Sequence, residues 1–354
     1  MGLCRPLHAV IVGGGPAATE VAHVIREHVG APIRLTLVAP AAADGAPRPL
    51  SVAEAFVASR RRRRGDLRVL AASVGAELVR GRVAEVDADR HQVLLSGGQE
   101  IHYDLLALAP GATARPALDT AALTLFGDVT PTAVGRVVAE IERDDVRSLA
   151  FVIPPGPTRA LSLYELAVHV GAEARLRGVA PRMRLFTPEC VPLERFGAGV
   201  AIALTRLLAA SDVEVVSDAV VFEGLDERLR LGATDRYMVE DRVVALPVLD
   251  GPALPGLPLT AEGFLPVDDY GAVLGLEDVF AAGDATACPV KHVDVACAQA
   301  GTVADMFAAR AGAPVVPIPW ARSVGEHQLT DHGIGVLRWS DAATALSPSR
   351  AGRR

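Results

Sequence analysis

Two short segments at opposite ends of the chain limit its fold more than any other feature. Near the N-terminus runs Val10-Ile11-Val12-Gly13-Gly14-Gly15-Pro16-Ala17-Ala18, and far downstream runs Val279-Phe280-Ala281-Ala282-Gly283-Asp284-Ala285-Thr286. The first reads as a strand, a glycine turn and the opening of a helix. Gly13 permits the tight turn, Gly15 lets the backbone approach a pyrophosphate, and Ala18 lets the helix pack closely on the strand. The helix start adds free N–H groups and the positive end of a dipole. Such a pattern also fits an ordinary helix cap. Its setting favours a nucleotide turn, because apolar Ala9–Val12 precede it and the periodic stretch Glu20–Ile25 follows. In the second segment a strand delivers Asp284 directly after Gly283. An acid so placed accepts hydrogen bonds from ribityl hydroxyls, whereas the plainer alternative is a cap on the next helix. With both elements in this order, the expected ligand is a flavin dinucleotide.

A chain of 354 residues, half of them apolar, has room for two domains with large cores. Mean hydropathy is +0.30, yet no apolar run approaches the ~20 residues that span a bilayer. The N-terminus passes straight into the first strand, so no secretory signal is expected. A net charge of −7 argues against nucleic acid as a partner. Cys4, Cys190, Cys288 and Cys297 form no C-x-x-C pair, which gives neither a disulfide framework nor a zinc site. The cytoplasm is the expected setting. The run Arg60–Arg64 reads as solvated helix surface, with a patch for anionic lipid or a partner as the alternative.

The pattern predicts an α/β protein with two Rossmann-like dinucleotide-binding domains, the second inserted in the first. Residues 1–119 and 249–315 form the first domain, 120–248 the second, and 316–354 a short tail. Within the first, residues 67–111 are expected to alternate short apolar runs with turns and to close on the strand Leu105–Ala109. The second is expected to contain a strand at Leu149–Ile153, a helix near Leu161–Arg177, the strand Arg184–Thr187, a helix near Val200–Ala210, and strands at Val213–Val216 and Arg242–Leu246. The final long helix is expected near Val295–Ala311.

On these residues the chain resembles the pyridine nucleotide-disulfide oxidoreductase superfamily, and within it the branch of type II NADH dehydrogenases and sulfide:quinone oxidoreductases. The landmarks are Gly13–Ala18, Arg48-Pro49-Leu50, the run Tyr103–Ala112 with Ala109-Pro110-Gly111, Leu163-Tyr164-Glu165-Leu166-Ala167, Gly263–Asp268 and Pro289-Val290-Lys291. The resemblance implies FAD held by Gly13, Gly14, Gly15, Pro16, Ala17, Ala18, Arg48, Ala109, Pro110, Gly111, Gly283, Asp284, Lys291 and Gln299. It sets Glu165 near the flavin as a proton relay, with a plain helix-face carboxylate as the alternative. It sets Lys291 at the pyrimidine edge, where a cation stabilises the reduced flavin, with a solvated lysine as the alternative. Gln299 belongs to a segment whose backbone meets the ring. Cys288 and Cys297 flank this region, either as small buried hydrophobes or as a thiol pair.

The second unit departs from the family pattern. Where a G-x-G-x-x-G turn is expected stands Pro154-Pro155-Gly156-Pro157-Thr158-Arg159, and prolines lack the N–H donors that hold a pyrophosphate. Thr187-Pro188-Glu189 replaces an acid at the tip of the next strand. Both changes argue against standard NADH binding. The absence of cysteine between Cys4 and Cys190 argues against sulfide chemistry of the usual kind. In the first domain Ala39-Pro40 stands where the adenosine ribose usually finds an acid. The expectation is an FAD-dependent oxidoreductase passing two electrons from a small-molecule donor to a quinone-like or other small acceptor. The alternative is a catalytically degenerate flavin-binding or interaction protein of the same fold. The tail after Pro317 reads as too short for amphipathic anchoring helices.

Overall fold

The computed structural model describes residues 5–29, 33–40, 66–118, 123–124, 131–143, 145–193, 198–223, 229–232, 237–323, 328–330 and 333–335. Arg48, Arg60–Arg64 and Cys4 lie outside the described residues.

The chain opens with β1 (Leu7–Val12), α1 (Pro16–Val29) and β2 (Ile33–Ala39), then α2 (Leu67–Ser73) and β3 (Ala76–Arg80). The stretch 67–111 thus opens on a short helix, capped by the Asp66 side chain on the Arg68 N–H. An antiparallel meander follows: β4 (Val83–Asp87), β5 (Gln92–Leu95) and β6 (Glu100–His102). β7 (Leu105–Leu108) then returns to the first sheet, and β8 (Thr113–Arg115) leaves it. The second unit comprises β9 (Leu123–Thr124), α3 (Pro131–Glu142), β10 (Ser148–Val152), α4 (Ala160–Leu176), β11 (Arg182–Phe186), α5 (Ala198–Ala210) and β12 (Val213–Val216). The small antiparallel strands β13 (Val221–Glu223), β14 (Leu229–Leu231) and β15 (Tyr237–Met238) precede β16 (Arg242–Ala245). β17 (Val248–Asp250) pairs antiparallel with β8, so the outgoing and returning linkers run side by side. β18 (Val279–Ala281) and α6 (Val293–Arg310) complete the first unit.

Two five-stranded parallel sheets result, ordered β3-β2-β1-β7-β18 and β12-β11-β10-β16-β9. All strands of the second sheet fall between β7 and β18 in the chain, so the second unit is inserted in the first. Parallel sheets need cover on both faces, which explains why β1, β7 and β10 are near-continuous apolar runs. On α1 the buried positions Ala17, Ala18, Val21, Ala22 and Ile25 follow a helical stripe. They share a core with Ala300, Val303, Ala304 and Phe307 of α6. Phe280 and Phe307 meet edge to face at 5.4 Å, a geometry worth about 1 kcal/mol beyond area burial. α4 is buried without a break from Leu161 to Val168. A helix buried on every side must be covered on every side. Its core holds residues of the second sheet together with Cys288, Val295 and Trp320 from later in the chain.

Strand order reverses between β1 and β7 in the first sheet and between β10 and β16 in the second. Open α/β sheets bind ligands in the crevice at the carboxyl ends of strands at such a point. Both crevices carry a cavity.

Candidate functional site

The glycine turn after β1 is built by close contact. Gly13 has φ +129°, and a Cβ there would collide with the Ala109 carbonyl at the end of β7. Its N–H donates to the Val38 carbonyl at 2.8 Å, and Ala109 N–H donates to Val12. Three strand ends are thereby locked together. Gly15 is different: nothing lies within 4 Å of a Cβ built on it. The turn therefore has one face closed by protein and one face open. A cavity of about 200 Å³ adjoins it, lined in part by Gly15, Pro16, Ala17, Ala109, Pro110 and Gly111.

Gly283, Asp284 and Lys291 line the same cavity. Gly283 takes φ +77° in a short turn after β18. Its N–H donates to Gln299 Oε1 at 2.8 Å, and Gln299 is 1% exposed. Gln299 thus braces the Gly283 turn from inside, and its side chain is absent from the cavity lining. Asp284 caps no long helix; that position before α6 belongs to His292. The Asp284 carboxylate instead meets Arg159, whose Nε and Nη2 donate to Oδ2 at 3.0 and 2.5 Å.

Lys291 is 3% exposed, which rules out the solvated alternative. Its ammonium donates to the Asp284 and Thr286 carbonyls at 3.1 and 2.5 Å and stands 3.9 Å from the centre of the Phe264 ring. Burial lowers its pKa to about 8, against the opposing pull of Asp284. Glu165 is 2% exposed within α4 and lines neither cavity. Gly14 and Ala18 also lie outside the cavity linings; Ala18 packs in the core beneath.

The second crevice holds about 690 Å³, within the usual range for a small-molecule pocket. The proline loop after β10 forms one wall, and Pro188–Val191 after β11 another. The loop is stitched to the returning linker: Thr158 Oγ1 donates to Pro247 O, and Leu249 N–H donates to Pro157 O, each at 2.8 Å. Glu189 stands three residues past β11, and its Oε2 accepts from Tyr164 Oη at 2.5 Å and from Leu193 N–H. Burial and the Glu189 carboxylate push the Tyr164 phenol far up, so it stays a donor. The charged residues lining this crevice are Glu189, Glu262 and Lys291, an acidic balance.

Cys190 and Cys288 both line the larger cavity. Burial pushes the Cys288 thiol up, and its Sγ donates to Val290 O. A thiol held protonated is a poor nucleophile. Cys190 is exposed and donates to Asp218. Cys297, on α6, is half-buried and lines neither cavity. Among the described residues no cluster suits a metal ion, and no helix is long and apolar enough to cross a membrane. Sequence reasoning missed Arg159 as a neighbour of Asp284. No spacing rule links them, since only the fold brings the proline loop to the end of β18.

Residues 7–151 match the family described as pyridine nucleotide-disulphide oxidoreductase. An NADH dehydrogenase-like protein of Mycobacterium tuberculosis, found in two strains, is 29% identical over 244 residues, 64% of this chain. That match spans 60% of the relative's own length. Among solved structures, the sulfide:quinone oxidoreductase of Aquifex aeolicus superposes with a TM-score of 0.71 at 16% identity, covering 85% of this chain and 76% of that one. The NAD-dependent persulfide reductase of A. fulgidus gives 0.60 at 19% identity, covering 88% and 60%. The solved structures establish the fold, and residues 7–151 carry the chain's likeness to the pyridine nucleotide-disulphide oxidoreductase family.

Proposed function

We propose that this protein is an FAD-dependent oxidoreductase that takes two electrons from a small-molecule donor and passes them to a quinone-like or other small acceptor. The observation that carries the reading is the half-open glycine turn. Gly13 is closed on Ala109, while Gly15 faces open space that a side chain would fill. An open glycine at a helix start opposite an acid is the form of a phosphate and ribityl cradle. Asp284 Oδ1 accepts no hydrogen bond among the described residues, so it is available to a hydroxyl. At about 200 Å³ the cavity takes only part of FAD.

With FAD bound, the flavin supplies a two-electron carrier. The start of α1 would hold the pyrophosphate, and Asp284 would orient the ribityl chain. Lys291, in reach of both cavities, would set positive charge between the flavin and the larger crevice, and with its pKa near 8 it would exchange a proton there close to neutral pH. The larger crevice is where donor or acceptor would meet the flavin. Its prolines and acidic lining disfavour a pyrophosphate. A second reading, flavin binding without turnover, draws on the same altered loop.

Anaerobic titration of the FAD-loaded protein with NADH, NADPH and sulfide tests the proposal. Stoichiometric FAD that a small reductant bleaches supports the enzyme reading. Stoichiometric FAD that reoxidises with no quinone or other acceptor supports the second, and a protein that takes up no FAD overturns both.

A further inference from the structure

We infer that Arg159, carried by the inserted domain, is a phosphate-binding residue of the dinucleotide cavity in the other domain. The inference rests on the flavin reading above and adds a ligand contact to it.

The geometry differs from that of a plain strut between domains. An arginine and a carboxylate that serve only each other favour a fork, with two N–H groups on two oxygens. Here Nε and Nη2 converge on the single oxygen Oδ2 of Asp284. Nη1 of Arg159 and Oδ1 of Asp284 have no hydrogen-bond partner among the described residues, and neither atom is sealed from solvent. Both residues line the 200 Å³ cavity beside Gly15 and Pro16, and their side chains are 21% and 14% exposed. One donor and one acceptor are thus left over, in a half-buried place, next to a helix start suited to anions.

The charge balance points the same way. Asp284 alone would repel a pyrophosphate arriving at the α1 amides. Arg159 cancels that charge, and with Lys291 the charged lining of the cavity sums to +1. Guanidinium suits this task because its spare N–H groups lie in one plane and match phosphate oxygens. The position has a further consequence. Arg159 ends the proline loop, which is stitched to the linker at Pro247 and Leu249. A phosphate held by Arg159 therefore ties the two domains together through the ligand.

The test compares FAD with riboflavin, which lacks phosphate, on wild-type apoprotein and on Arg159→Met, Arg159→Lys and Arg159→Gln, following flavin fluorescence at low and high salt. Arg159→Met is expected to weaken FAD about tenfold or more while leaving riboflavin within about threefold. Arg159→Lys should restore part of the FAD affinity, and the salt dependence of FAD binding should shrink in Arg159→Met and Arg159→Gln. Equal losses for FAD and riboflavin would show a strut alone and overturn the inference, as would unchanged FAD affinity. If Arg159→Met does not fold, the Gln variant decides by the same comparison. A wild-type protein that binds no FAD overturns the flavin reading and this inference together.

Discussion

Two glycines in one turn should fail in opposite ways. Gly13 combines φ +129° with a Cβ position inside the Ala109 carbonyl. A side chain there costs about 1–3 kcal/mol in backbone strain alone. The collision adds to that, because β1 and β7 are neighbouring strands paired from Ala9 to Val12 and must move apart. Gly13→Ala is therefore expected to lower the melting temperature of the apoprotein by roughly 5 °C or more. Gly15 has ordinary φ and open space, and it precedes Pro16. A residue before proline is held in the extended region, which valine favours. Replacing a glycine at a helix start costs about 1 kcal/mol or less. Gly15→Val should thus fold nearly as well as wild type, while its side chain fills the space a phosphate needs. We expect a loss of FAD affinity of about 100-fold or more, at about 1.4 kcal/mol per tenfold. Thermal unfolding of apoprotein and flavin absorbance after reconstitution read the two effects separately. A folded Gly15→Val protein with undiminished flavin would refute the assignment of the turn, and an unshifted melting temperature in Gly13→Ala would refute the packing argument.

Lys291 makes stability depend on pH. Its pKa is about 8 folded against an ordinary 10.5, so between these values the unfolded chain binds more protons and stability rises with pH; below pH 8 the ammonium is charged in both states. At about 1.36 kcal/mol per pH unit the rise from pH 8 to 10.5 amounts to roughly 3 kcal/mol, and denaturant titrations should show it flattened in Lys291→Met. With flavin bound, the same variant should lower the midpoint potential by roughly 20–65 mV, equivalent to 1–3 kcal/mol for a two-electron couple, as spectroelectrochemistry would read. NADH and NADPH should be poor reductants; stopped-flow reduction at about 10 per second or faster would contradict the proline-loop argument.

The sheet framework was legible because parallel strands and their crossover helices write long apolar signals. The helix expected at Val295–Ala311 is Val293–Arg310, and the strand Val213–Val216 stands as read. Within the stretch 67–111, expected to alternate short apolar runs with turns, Leu67–Ser73 is a helix of seven residues, barely two turns and too few for a period to register. Residue types at the site were legible wherever backbone geometry demands them, as at Gly13 and Gly283. The directions of long side chains were not. Gln299 turns inward to the Gly283 amide, and Arg159 crosses from one domain to the acid of the other. Neither contact follows from spacing, because each depends on how a buried helix seats between two sheets.

That seating explains why the two crevices differ although the sheets share a plan. In the first, the turn after β1 enters α1 through Gly15 and Pro16, which line the cavity with Ala17, and nothing lies within 4 Å of a Cβ built on Gly15. In the second, the turn after β10 enters α4 through three prolines, and two of its remaining polar groups are spent on the linker at Pro247 and Leu249. Few donors are left there for a phosphate. The loop has become an anchor, holding α4 where its apolar surface joins Cys288, Val295 and Trp320 in one core. Its last residue, Arg159, then reaches the cavity beside Gly15 in the other domain. A change that restores glycines in this loop without removing the linker bonds would loosen the anchor before it made a nucleotide site. If the larger crevice receives the donor, as proposed, its loop both lines that crevice and joins the two domains, so a change at Thr158 or Pro157 should alter both.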